Sequence, residues 1–323
     1  MEVIRNRLRQ LGFSDGVVSI LLGGTRDSTN AAYASAWKHW LDWCRGGSKD
    51  PLSNDLVQFI EFLAHLFKSG KSYSTINICR SSLSSTLDPI DGSNIGKHPI
   101  VNRFMRAIYN QNPPRPRYSS TWNVDTVLKL IQTWGPNECL NAKFLVKKMA
   151  ILLALSTFMR TSELASIDKH SVTFHETGVS FTLTKLRKSQ QTGPVQDFQL
   201  KKLPDPLLCP VSCLGFYVYS TDVLRTDENS AHLFISPSKP YINVSPTTIS
   251  RWIKNVLKQA GIGSQFSAHS TRGAASSKAA ANGLSILSIL KKGNWAHETT
   301  FTRFYRREAH TPVVEESVLN CEL

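Results

Sequence analysis

The chain has 323 residues, a hydrophobic fraction of 41% and a formal net charge of +14. That length leaves room for two domains with cores of their own, and the composition excludes a disordered, fibrous or membrane-spanning protein. A globular chain this basic is expected to bind polyanions through phosphate contacts, with an affinity that salt weakens.

The N-terminus, MEVIRNRLRQLGF, carries charge but no apolar core of a secretory signal. Residues 28–45 place Tyr33, Trp37, Trp40, Leu41 and Cys44 on one helical face after a Ser or Thr cap. A second helix is predicted over Ser53 to Lys68, where Leu56, Phe59, Ile60 and Leu63 recur at helical spacing, and a third begins near Ser74. The stretch NPPRPRYSST, residues 112–121, cannot continue a helix and reads as an extended basic connector. This divides the chain into a helical first domain, 1–112, a linker, 113–121, and a second domain, 122–323.

In the second domain, Val124 to Trp134, Ala142 to Phe158, Thr247 to Ala260 and Ala274 to Asn282 have helical period or composition, and Ile286 to Leu290 begin another short helix. Between them, Gly178 to Leu200 alternates Val179, Phe181 and Leu183, turns around Gln190 to Gly193 and resumes at Val195. That pattern predicts a hairpin with a basic tip, Lys185, Arg187 and Lys188. The fold class is therefore mainly α, an N-terminal helical bundle plus a mixed α/β domain with a small β-hairpin sheet. The longest apolar run, Met149 to Met159, is too short to cross a bilayer. Cysteines lie at 44, 79, 139, 209, 213 and 321, and the neighbouring Cys209 and Cys213 lack a second Cys or His pair at ligand spacing. They read as buried thiols of a soluble intracellular protein, with no metal site. In the tail, Val313, Val314, Val318 and Leu319 are spaced for one short amphipathic helix whose apolar face needs a groove.

Four short pieces carry the chemistry: FMRTSEL with Arg160, HSTRGAA with His269 and Arg272, GNWAHETT with Trp295, and FTRFYRRE with Tyr305. Singly each is ordinary. An Arg after an apolar helix complements its C-terminus, and a Tyr beside Phe301 and Phe304 is more often packing than chemistry. In this order, from about Asn123 to Arg307, they resemble the catalytic domain of the tyrosine recombinases, the phage integrase family. That family opens its set with R-x-x-E-L, matched by Arg160, Glu163 and Leu164. A hairpin lysine follows, then H-x-x-R, then a His or Trp, then the nucleophilic Tyr. The Trp ten residues before the Tyr is most similar to recombinases of eukaryotic DIRS-type retrotransposons. Bacterial integrases more often place a His about nine before the Tyr, where this chain has Ala296, and His297 competes with Trp295 for the role.

The residue types suit phosphodiester transfer. Charge on the equatorial oxygens of a pentacoordinate phosphorus calls for fixed donors, and Arg160 and Arg272 offer planar, permanently charged forks. His269 titrates near neutrality and is placed to exchange a proton with the Tyr305 hydroxyl, whose pKa near 10 leaves it a poor nucleophile unaided. Glu163, one helical turn after Arg160, is positioned to orient its guanidinium. Trp295 donates only through its indole N–H. Lys185, Arg187 and Lys188 are candidates to protonate the leaving 5′ oxygen; Lys188 falls where the family's general acid usually lies and is chosen over Lys185, and the plainer reading of all three is nonspecific phosphate contact. Backbone N–H groups at a helix start by HSTRGAA would add positive potential.

The resemblance implies a metal-free, cofactor-free enzyme that cuts double-stranded DNA through a 3′-phosphotyrosine, for site-specific recombination or integration of a mobile element. It implies that the first domain is a core-binding (SAM-like) domain forming one jaw of a clamp, that four identical protomers act on two duplexes, and that the tail helix docks on a neighbour. The eukaryotic likeness points to the nucleus. Two rivals are a type IB topoisomerase, which relaxes supercoils without exchanging strands, and a retired recombinase kept as a DNA-binding protein.

Overall fold

The computed structural model describes residues 2–115, 118, 120–188, 190 and 192–306, so the tail helix expected over 311–323 lies outside the described residues. The chain divides into two compact units, Met1–Arg117 and Tyr118–Leu323.

The first unit is helical: α1 (Glu2–Gln10), α2 (Asp15–Gly23), α3 (Asp27–Gly46), α4 (Leu56–Lys68), α5 (Tyr73–Ser84) and α6 (Pro99–Gln111). The predicted face of α3 is the one that packs, with Trp37, Trp40 and Cys44 buried against Phe59, Phe62 and Leu63 of α4 and Ile76 of α5. Burying an apolar side chain of that size stabilises by about 1.5–3 kcal/mol, and both indoles also satisfy their polar edges. Trp40 Nε1 donates to Pro51 O at 2.8 Å and Trp37 Nε1 to Thr86 Oγ1 at 3.3 Å. The expected Ser or Thr cap of α3 is corrected: Arg26 is the N-cap residue and makes no side-chain cap, while its carbonyl accepts from Thr29 and Asn30. The second helix begins at Leu56 rather than Ser53, because Asp55 Oδ1 accepts from Val57 N at 2.8 Å and so fixes the start.

In the second unit α7 (Val124–Thr133) and α8 (Ala142–Thr157) lead to the short α9 (Thr161–Leu164). Helix α8 is buried nearly all round, as its continuous apolar run requires, and packs on the later helices α10 (Pro210–Asp222), α11 (Pro246–Gln259) and α12 (Ser270–Ala281). The chain ends its described course in α13 (Ile286–Gly293) and α14 (Glu298–Phe304). Near the end of the expected connector, Tyr118 Oη lies 2.8 Å from Ser267 Oγ, and its ring stacks on Phe266.

A three-stranded antiparallel sheet interrupts the helices, with β1 (Thr173–His175), β2 (Gly178–Phe181) and β3 (Phe198–Lys201) in that order. The return strand starts at Phe198, not Val195. Register is set by Phe181 opposite Phe198, whose stacked rings are 5.6 Å apart, whereas Val195 is exposed. Gly178 is obligatory, since a Cβ there would sit 2.0 Å from Leu200 O. The described residues of the predicted tip, 182–188, 190 and 192–197, consequently lie outside the strands, and Thr184 N donates to Ser166 O just past α9. Among the described residues no helix is long and apolar enough to cross a membrane.

Candidate active site

Helix α8 stops because Phe158 adopts a left-handed conformation, φ 56°, which turns the chain so that Arg160 sits extended at the start of α9. The local sequence then locks it: Glu163 Oε2 accepts from Arg160 N and Glu163 Oε1 from Arg160 Nη1, each at 2.8 Å. Glu163 is buried. Burial opposes its charge, but Arg187 and then Arg160 outweigh that cost and hold the carboxyl below the ordinary carboxylate range.

Arg187 corrects an expectation. Expected at the basic tip as a candidate general acid or a phosphate contact, it is 1% exposed and donates Nε to Glu163 Oε1 at 3.2 Å and Nη2 to Glu163 Oε2 at 3.3 Å. It is therefore a buried ion-pair partner and not a phosphate contact. Lys185 and Lys188 are exposed, and among the described residues neither makes a hydrogen bond or ion pair. The structure does not bring either into contact with the other candidates.

His269 is the residue before α12, and Arg272 lies in its first turn. The Arg272 side chain is fully buried, Nη1 donating to Phe158 O and Nη2 to Gly293 O. Its guanidinium carbon lies 4.0 Å from the Trp295 ring centroid and 5.3 Å from that of Tyr305. Burial, and next the charge of Arg160, push its pKa below the ordinary arginine value. Its Nε is buried and has no hydrogen-bond partner among the described residues. The pocket thus holds more positive charge than its one carboxylate neutralises, which is the electrostatic state that an anion relieves.

Tyr305 closes helix α14. Its N donates to Phe301 O at 2.8 Å, and its carbonyl accepts from Ser277 Oγ at 3.0 Å, so the backbone is held from both sides. The ring lies 4.7 Å from Trp295, and its hydroxyl is 3.4 Å from His269 Nε2, at the long end of hydrogen bonding. His269 is exposed and Tyr305 half-buried, so the pair faces solvent. Trp295 packs with Phe158 and Phe301 in a small apolar cluster. Its Nε1 is buried and has no hydrogen-bond partner among the described residues. His297 is exposed ahead of α14, and it is Trp295 that the fold places against Tyr305 and Arg272.

Arg160 and Glu163 thus touch each other, Arg272, Trp295, Tyr305 and His269 form a second contacting group, and the two are joined through Arg187, which binds Glu163 and shares the Gly293 carbonyl with Arg272. Gly293 was not anticipated: its carbonyl accepts from Arg272 and Arg187, and a Cβ there would meet the Trp295 ring at 2.0 Å. A glycine preceding an Asn–Trp pair gives no sequence signal of that crowding. Cys209 and Cys213 are buried, Cys209 Sγ accepting from Leu203 N at 3.2 Å, and no metal-holding cluster occurs among the described residues.

Glu163→Gln is expected to lower stability by roughly 3 kcal/mol at pH 7, because it leaves two guanidinium groups without their shared carboxylate. The folded-state pKa is depressed, so this contribution is complete above the unfolded value near 4.3 and fades as pH falls through the lower folded value. Thermal unfolding of both proteins at pH 7 and pH 3 checks it: the gap narrows only in acid.

A family model described as the phage integrase family matches residues 123–311. No curated protein matches the chain by sequence. The fold is similar to that of a lambda integrase dimer bound to a COC′ core site, at TM-score 0.57 and 16% identity, covering 97% of this chain and 78% of that one. It is also similar to the Tn1549 transposon integrase in complex with transposon right end DNA, at TM-score 0.59 and 14% identity over 98% of both chains. A third, XerH site-specific recombinase bound to a difH substrate, aligns at TM-score 0.52 and 14% identity over 82% of this chain and 70% of that one.

Proposed function

The chain belongs to the phage integrase family, and from that premise we propose that it cleaves and rejoins double-stranded DNA through Tyr305. The observation that carries the reading is the contact of the Tyr305 hydroxyl with His269 Nε2 at 3.4 Å, directly over a buried Arg272 that is short of negative charge. His269 accepts the phenol proton as the oxygen attacks phosphorus. Arg160 and Arg272 take the non-bridging oxygens, the Tyr305 ring lifting from the Arg272 guanidinium as the phosphate enters. Lys188 protonates the departing 5′ oxygen. The products are a 3′-phosphotyrosyl bond and a free 5′ hydroxyl, and the same steps in reverse join a second strand. Nothing in this set requires a metal or cofactor.

The net charge of +14 supports a DNA partner. So do the fold's likenesses to DNA-bound integrases. The Trp in place of a catalytic His favours the recombinase of a eukaryotic mobile element acting in the nucleus, with four protomers assembled on two duplexes.

The test is incubation with nicked, labelled duplexes in EDTA, followed by denaturing electrophoresis. The expected result is a covalent adduct at the 3′ phosphate, together with noncovalent binding whose log affinity falls linearly with log salt. Salt-sensitive binding with no adduct on any duplex carrying the chain's own recombination site would make it a DNA-binding protein only.

A further inference from the structure

Arg187 is the least expected member of the site, and what it holds together goes beyond the strand-cleavage reading on which this inference rests. Besides both oxygens of Glu163, it donates Nη1 to Gln196 Oε1 at 2.9 Å and to Lys292 O at 3.0 Å, and Nη2 to Gly293 O at 3.4 Å. Its guanidinium carbon lies 5.2 Å from the Phe198 ring centroid. One side chain therefore joins the start of α9, Gln196 ahead of β3, the first residue of β3 and the end of α13.

A cation kept for nonspecific contact with a DNA backbone would stay in water, because burying it costs several kcal/mol. Here the cost is offset by one carboxylate and three neutral acceptors, a set that only the planar, multi-donor guanidinium can satisfy at once. Its neighbours in the loop behave differently: Lys185, Leu186 and Lys188 are all exposed. The chain at residue 187 is thus pinned to the Arg160–Glu163 pair, and Lys188 leaves from that fixed point. Lys185 leaves from a different hold, Thr184, whose N donates to Ser166 O at 2.7 Å, a bond that does not involve Arg187.

We propose that Arg187 is a positioning residue with two jobs: it orients Glu163, and through it Arg160, and it fixes the chain at residue 187 so that the adjoining Lys188, rather than Lys185, reaches the leaving oxygen. The carbonyls of Lys292 and Gly293 extend the same hold to the turn that carries Trp295.

Single-turnover cleavage of two duplexes tests this, one with the natural bridging oxygen at the scissile 5′ position and one with sulfur there. A thiolate leaves without being protonated, so the sulfur duplex does not need the general acid. Arg187→Lys is expected to bind DNA as wild type does but to cleave the oxygen duplex about 10²-fold more slowly, the scale of a small misplacement of reacting groups. On sulfur the deficit should shrink to below about 10-fold, leaving only the part due to Arg160. Lys188→Met should show the same rescue, and Lys185→Met no deficit. Cleavage by Arg187→Lys within about threefold of wild type on oxygen, or an equal deficit on both duplexes, overturns the proposal. If Arg187→Lys does not fold, the two lysine variants decide: a deficit rescued by sulfur in Lys185→Met and not in Lys188→Met overturns it equally. Wild-type protein that forms no adduct on either duplex defeats the cleavage reading itself, a result visible before any variant is compared.

Discussion

Tyr305→Phe is expected to bind DNA normally and to form no covalent adduct, cutting strand cleavage by about 10⁵-fold or more, the scale seen when a covalent nucleophile is removed. The substitution is unusually clean in this site. The ring keeps its packing, 4.7 Å from Trp295 and 5.3 Å from the Arg272 guanidinium carbon. The backbone keeps its bonds to Phe301 O and Ser277 Oγ, neither of which involves the phenol. Only the hydroxyl is lost, and among the described residues its single partner is the exposed His269. Stability should therefore change by no more than about 0.5 kcal/mol, as for surface substitutions generally. Adduct yield and thermal midpoint measured on one preparation separate lost chemistry from lost folding. An adduct persisting in the Phe protein would assign the nucleophile to another residue.

The local parts of this arrangement are legible in the sequence, and the non-local parts are not. Trp37, Trp40 and Cys44 recur at helical spacing, so their shared buried face follows from the pattern. Arg160 and Glu163 are three apart, one turn of backbone, and their pairing needs no knowledge of the rest of the chain. The burial of Arg187 depends on two carbonyls more than 100 residues later in the chain. No periodicity reports such a contact, and a cation between two lysines reads as solvated. The return strand is another case. Val195 looks like a strand residue, but pairing is decided by Phe198 stacking across the ladder on Phe181, which lengthens the loop by three residues. Helix starts fail on a smaller scale: Ser53 and Asp55 both offer caps to α4, and only the carboxylate reaches a free N–H of the first turn.

Arg272 combines both kinds of information, since its place in H-x-x-R is local and its burial is not, and Arg272→Lys separates its two duties. As a strut it bridges Phe158 O and Gly293 O, the carbonyls that end α8 and α13. A lysine ammonium keeps the charge but cannot span both acceptors from one position, so one buried carbonyl is left bare at a cost of about 1–3 kcal/mol. Opposing that loss, the compact, flexible ammonium can move away from Arg160, whose charge already depresses the Arg272 pKa. The net loss of stability should then be about 1–2 kcal/mol, small enough for the protein to remain folded. As a phosphate ligand Arg272 has no such compensation. A single ammonium cannot present two parallel donors to a developing charge, and cleavage is expected to fall about 10²–10³-fold, as when one preorganised donor is removed from an oxyanion site. Thermal midpoints and single-turnover rates on the nicked duplex give the two quantities independently. A Lys protein that is destabilised as expected yet cleaves within about 10-fold of wild type would show that Arg272 builds the pocket without touching the phosphate, and the transition-state charge would then rest on Arg160 and His269.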